Sequence, residues 1–313
     1  VLNLLKSNGE FRRLFGAHAV SRAGDSFNTV ALVLLVFDLT GSARGVAGAV
    51  MFEVLPILLL GPVAGLAADR LPRRRLMVAA DIVRAIAAWS LVLFGGSVGV
   101  VFVVAFVLSA GAMLFNPASS SLLPDVVDDD EDLVTANAAL WTAAVVGQVA
   151  LAPTAGVVIA AFGVKAAFAV NAATFLVSAV LLRGLRAGGT AAGVDVHGWR
   201  SALAGVKAVR AHPLLARLAV VQVLASLSAG ATSGLLVVLA EQRLDVGPGG
   251  FGTLLAGIGV GAAAGPLLLR RFVRPVDRRW LFGPYLVRGG VDATLAAVTV
   301  PAVAGGALVV YGM

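Results

Sequence analysis

Apolar runs of membrane-spanning length recur along the whole chain, and they constrain its fold more than any other feature. They fall at roughly 14–37, 45–68, 76–94, 98–116, 134–161, 164–184, 214–240, 250–269 and 280–300, and a tenth begins near 302. A helix needs about 20 mainly apolar residues to cross a bilayer. In hydrocarbon, only a helix or a closed barrel satisfies every backbone polar group. Charged side chains make up 13% of the 313 residues, and mean hydropathy is +0.95. An average soluble domain is about 25% charged, so a water-soluble globule is excluded. A disordered chain, which needs low hydrophobicity and high charge, is excluded too. The expectation is an all-α membrane protein.

The connections between runs alternate in charge. One side carries Lys6, Arg12, Arg13, Arg70, Arg73, Arg74, Arg75, Arg183, Arg186, Arg200, Lys207, Arg210, Arg217, Arg270, Arg271, Arg274, Arg278 and Arg279. The other carries Arg44, Lys165 and Arg243. Basic loops stay in the cytoplasm, which puts the N-terminus there, in the inner or plasma membrane of the cell. The acidic connection at 117–133 lies on the same side, and acidic residues weigh little in that rule. The longest connection divides the chain into 1–186, a linker over 187–213, and 214–313. Within the linker, Trp199, Leu203 and Val206 share one face of an expected interfacial helix.

A shift of 204 positions brings Gly61-Pro62 onto Gly265-Pro266, Arg70 onto Arg274, Arg74-Arg75 onto Arg278-Arg279, and Val83-Arg84 onto Val287-Arg288. This internal repeat predicts two six-helix halves in parallel repeat, the second stopping in span ten.

Between spans two and three lies Gly65-Leu66-Ala67-Ala68-Asp69-Arg70-Leu71-Pro72-Arg73-Arg74-Arg75. It resembles the loop signature of the major facilitator superfamily, with Pro72 where that signature has Gly. The resemblance implies a major facilitator fold. It also implies a conformational latch on the cytoplasmic side, made by Gly65, Asp69, Arg70, Arg73 and Arg74. Gly147 through Pro153 to Gly156 is similar to the kink motif of the drug:proton antiporter branch, with Ala152 and Val157 replacing two glycines. Asn116-Pro117-Ala118, Ala136-Asn137-Ala138 and Asn171 to Ser178 look like its macrolide-efflux and siderophore-exporter members. The implied activity is proton-coupled export of amphipathic or lipophilic molecules by alternating access, from a cavity lined by spans one, four, seven and ten.

Ionisable residues inside spans cost about 2.5–3.5 kcal/mol on insertion scales and usually face a cavity or a partner. Arg22 and Asp25 are three apart, as are Asp81 and Arg84; Arg288 and Asp292 are four apart. Each spacing sets two side chains on one helical face. Intramembrane ion pairs are therefore expected at Asp81–Arg84 and Arg288–Asp292. Glu53 has no opposite charge within a helical turn, and it joins Asp25 as a proton-coupling candidate. Gln148, Asn171 and Gln222 are amides in apolar spans, and they could line the substrate cavity or bond helix to helix.

Other motifs fail in context. Gly259, Gly261 and Gly265 mimic a dinucleotide fingerprint, but no strand precedes them, and small-residue helix packing explains them better. Gly95-Gly96-Ser97-Val98-Gly99 matches a hydrolase nucleophile pattern but forms a tight outer loop. Asp128 to Asp132 lack the spacing of a calcium loop and suit a helix N-terminus. There is no cysteine. The expectation is a monomer that is not an enzyme, with no cofactor or metal. Its partners are a small-molecule substrate, protons and the lipid bilayer, not nucleic acid. An uptake symporter or lysolipid transporter of the same fold, and a non-transporting fragment, are the alternatives.

Overall fold

The computed structural model describes residues 1–127, 129–186, 210–269 and 279–312. No strand occurs among them. A short helix α1 (Leu2–Ser7) precedes α2 (Gly9–Thr40), α3 (Ala43–Arg70), α4 (Arg73–Phe94), α5 (Val98–Val126), α6 (Asp130–Phe162) and α7 (Val164–Arg183). Next come α8 (Pro213–Val238), continued by a π-helical turn at Leu239–Arg243, then α9 (Gly247–Leu269), α10 (Arg279–Ala297) and α11 (Pro301–Gly312). Among the described residues, five stretches are long and apolar enough to cross a membrane: Gly9–Thr40, Arg44–Gly61, Arg73–Phe94, Val98–Val126 and Val164–Arg183. Every apolar run in the sequence coincides with one of these helices. The linker helix expected over 187–213 lies, as far as 209, outside the described residues, and so does the basic loop at 270–278.

Helix ends follow from local chemistry. The Asn8 side chain accepts the Phe11 N–H at the start of α2, and Gly41 ends it at φ 58, a left-handed cap that glycine adopts without strain. Asp130, Glu131 and Asp132 occupy the first turn of α6, where the helix dipole favours negative charge. The clearest departure from the sequence reading is α5. The apolar run stops at 116, yet the helix continues through Pro117 and Pro124 to Val126. The connection expected over 117–133 is therefore mostly helix. Asn116, Ser119 and Ser120 end the apolar run without ending the helix, because they line an internal cavity.

Two apolar clusters hold the helices. One lies toward the end of the molecule remote from the N-terminus and joins α2, α4 and α6 to α8, α9 and α11 through residues such as Leu35, Val36, Ile159, Val237, Leu244 and Leu255. The other lies at the N-terminal end. Its members run from Leu4 to Leu185 and include Phe11, Met77, Phe115, Leu123 and Leu140. Among the described residues, α2–α7 thus meet α8–α11 through apolar packing, and a gap lies within α2, α5 and α6 where α9 reaches them with Leu255.

Candidate functional site: a cavity between two helix groups

The gap is a cavity of ≈ 530 Å³ lined by α2, α5, α6 and α9. Spans one and four were expected there. Among the described residues, spans five and eight join them, and α6 crosses α9 directly. At that crossing, a Cβ on Gly252 would stand 2.4 Å from the Ala152 carbonyl and 3.0 Å from Pro153 Cα. The absent side chain lets the two backbones meet. The Gly147–Gly156 segment therefore runs through the crossing itself. Pro153 lies inside α6, and Ala152 and Gly156 are buried.

The cavity has two unlike walls. His18, Arg22, Asp25, Ser26 and Thr29 on α2, with Asn116, Ser119 and Ser120 on α5, make a polar one. Leu140, Trp141, Ala144, Ala152 and Leu255 make an apolar one, with Asn137 at its edge. Arg22 Nη2 donates to Asn116 Oδ1 at 2.8 Å, and Arg22 Nη1 lies 3.7 Å from Asp25 Oδ2.

Behind the polar wall sits a buried charge cluster. Arg84 donates to Asp81 Oδ1, and the two side chains are 2% and 0% exposed. Asp25 Oδ1 approaches the same guanidinium to 4.0 Å. The Arg84 group is held between two rings, 4.8 Å from the Phe115 centroid and 4.3 Å from that of Phe175. Cation–π attraction partly offsets the loss of water around the charge. Glu53 on α3 is partly buried, its backbone carbonyl accepts from Ser109, and Asp25 is near enough to act on it electrostatically.

The structure does not bring Arg288 and Asp292 together. Arg288 lies over the Tyr311 ring, 4.1 Å from its centroid, and donates to its hydroxyl. Asp292 accepts instead from Ser228 and, at 2.8 Å, from Thr232. Of the amides, Asn171 is fully buried against α2, where a Cβ on Gly24 would meet its Oδ1 at 2.5 Å. Gln222 is exposed and accepts from Tyr285 at 2.9 Å. Neither lines the cavity. The side chains of Gln148, Gly65 and Asp69 lie outside the described residues.

Arg70 ends α3 and is exposed, while the next arginines tie α4 to its neighbours. Arg73 donates to the Ser121 carbonyl at 2.7 Å and to Asp125 at 2.9 Å, and Arg74 donates to the Leu185 carbonyl. Sequence reasoning did not assign His18, Asn116, Asn137, Trp141 or Leu255 to the cavity. Asn116 and Asn137 stood in motifs noted for resemblance, and only the packing of α5 against α6 shows what they face.

Comparison with known proteins agrees with this architecture. The family described as transmembrane secretion effector, within the MFS group, matches residues 5–311. An uncharacterized MFS-type transporter of Bacillus subtilis (strain 168), YfiS, is 30% identical over 182 residues, 57% of this chain and 43% of that protein. Macrolide efflux protein A of Streptococcus pyogenes is 27% identical over 126 residues, 39% of this chain and 31% of that protein. The chain thus spans less than half the length of these two relatives in the matched regions. Among solved structures, a nucleoside transporter superposes with a TM-score of 0.76 at 13% identity, covering 96% of this chain and 79% of that one. At that identity the likeness concerns the fold.

Proposed function

We propose that this chain, which belongs to the transmembrane secretion effector family of major facilitator transporters, exports small amphipathic molecules in exchange for protons. The observation that carries the reading is the two-walled cavity with a carboxylate in it. An amphipathic solute would set its polar part against Arg22, Asn116 and Asn137 and its lipophilic part against Leu140, Trp141 and Leu255. Macrolide-like drugs are the first class to test, given the relative named for macrolide efflux. Siderophores are the second.

Asp25 is the proposed proton carrier, with Glu53 beside it. Facing outward, a carboxylate takes up a proton and lets substrate go; facing inward, it returns the proton and substrate binds again. Alternating access would run between two halves in parallel repeat, 1–186 and 214–313, joined by the linker. That division is supported by Arg84 and, 204 positions on, Arg288, each lying over an aromatic ring of another helix, Phe115 and Tyr311 respectively. Positive charge assigns the side of Arg12, Arg13, Arg73 and Arg74 to the cytoplasm, and the cavity is read as opening toward it. The described conformation is thus read as inward-facing. In the outward-facing state Asp69 and Arg70 would latch this side, with Arg73 and Arg74 keeping the loop fixed to its own half. The Gly147–Pro153–Gly156 segment would be the bearing at the far end.

Uptake of radiolabelled macrolide into cells that express the full-length protein tests this reading. Expressing cells should hold less drug than vector controls, and a protonophore should abolish the difference. Equal accumulation in both, or a difference that survives the protonophore, removes proton-coupled macrolide export.

A further inference from the structure

The geometry points to Asp81 as a positioning residue that competes with Asp25 for Arg84, so that one guanidinium passes between two carboxylates as Asp25 gains and loses its proton. This rests on the reading of Asp25 as proton carrier.

The two carboxylates reach the same group from different helices. Asp81 Oδ1 on α4 is hydrogen-bonded to Arg84 Nη2, while Asp25 Oδ1 on α2 stands 4.0 Å from Nη1. That gap is an ion-pair contact short of a hydrogen bond, and a movement of about 1 Å closes it. Arg84 cannot leave the site, because Phe115 and Phe175 hold its plane and its stem fills the space over Gly111. It can tilt within that plane, and its rigid fork of donors serves two acceptors at once. Exposure separates the roles of the acids. Asp25 lines the cavity, whereas Asp81 is fully buried and is not part of the lining.

The other charged or titratable groups facing this cluster are His18 and Arg22 on α2 and Glu53 on α3. Uncharged polar groups complete its surroundings: Ser178 on α7 beside Asp81, and Asn116 on α5, which accepts from Arg22. With Asp25 protonated, Arg84 rests on Asp81. When the proton passes from Asp25 to cavity water, Arg84 closes on the new carboxylate and draws α2 toward α4.

The test is the pH profile of macrolide efflux by the full-length protein in proteoliposomes, with energy-independent macrolide exchange as the control for folding. Asp81→Asn leaves Arg84 wholly to Asp25 and favours loss of the Asp25 proton. Exchange should persist, while the pH of half-maximal proton-driven efflux falls by about one unit, a tenfold change in proton concentration. An unmoved midpoint in a variant that still exchanges macrolide makes Asp81 purely structural and overturns the proposal. Should Asp81→Asn fail to insert, Asp81→Glu carries the test. It keeps the charge but displaces it by one methylene, so a smaller fall is expected, and an unmoved midpoint is equally fatal. If Asp25→Asn leaves efflux proton-driven, the parent reading fails instead.

Discussion

Arg84 can sit inside the bundle because residue 111 is glycine. A Cβ there would stand 2.6 Å from Arg84 Cγ and 2.9 Å from Cδ, while the two phenyl rings engage the guanidinium at the far end of that stem. Gly111→Ala should therefore destabilise the protein by about 1–3 kcal/mol, the usual cost of overpacking. Thermal unfolding followed by tryptophan fluorescence would read it as a lowered midpoint, and an unchanged midpoint would mean the site can relax. Removing Arg84 itself leaves Asp81 buried without its partner, at a cost of about 3–5 kcal/mol. Arg84→Met should then unfold at lower temperature than Asp25→Asn, which loses a contact at 4.0 Å rather than a buried hydrogen bond. The spacing of Asp81 and Arg84 was legible because a helix sets i and i+3 on one face. Asp25 was not legible as their companion, since it comes from another helix and only tertiary packing joins them. Arg288 and Asp292 have equally good spacing, yet Tyr311 on α11 and two hydroxyls on α8 compete for them.

Single glycines set how closely helices approach. Gly261 and Gly312 place α9 against α11 so tightly that a Cβ on either would stand 1.9 Å from a carbonyl oxygen of the other helix. The glycine run that mimics a nucleotide fingerprint is thus spent on helix packing, as its place in an apolar span indicated. Gly252 does the same for α9 on α6 and carries the proposed bearing. Gly252→Leu should force the crossing apart at the Ala152 carbonyl. These 313 residues contain no cysteine, so an Ile159→Cys reporter near that crossing can be labelled in a full-length protein cleared of any other cysteine. Its reaction with a membrane-impermeant maleimide from outside should rise in the Gly252→Leu background, and no change would separate the crossing from outer closure. Every described helix from α2 onward was legible from apolar length, but the short α1 and the end of α5 were not. Length counts apolar residues, and the last turns of α5 are polar because they face a cavity rather than lipid.

At the scale of the whole molecule, loop charge supplies only an expectation of sidedness, while the helices among the described residues follow from hydropathy. Where the cavity lies does not. Its lining draws on residues from His18 to Leu255, and spans five and eight meet beside it because their small residues let them cross. Sequence periodicity says which face of a helix is polar, and packing decides what that face meets. The inward-facing reading makes a prediction at this scale. A lone Asn137→Cys should be labelled by impermeant maleimide from the cytoplasmic side without substrate, and macrolide should slow that labelling. Labelling from the outer side alone would reverse the assigned orientation.

The central claim is that a carboxylate in this cavity exchanges protons for an amphipathic solute. Inverted membrane vesicles holding the full-length protein, acid-loaded and carrying a lumenal pH dye, test it most directly. Adding macrolide should discharge the gradient in wild type. Asp25→Asn should abolish the discharge, and Glu53→Gln should at least weaken it. A gradient that macrolides and siderophores both leave untouched, with the protein folded and inserted, would contradict the account. So would a discharge that survives both substitutions.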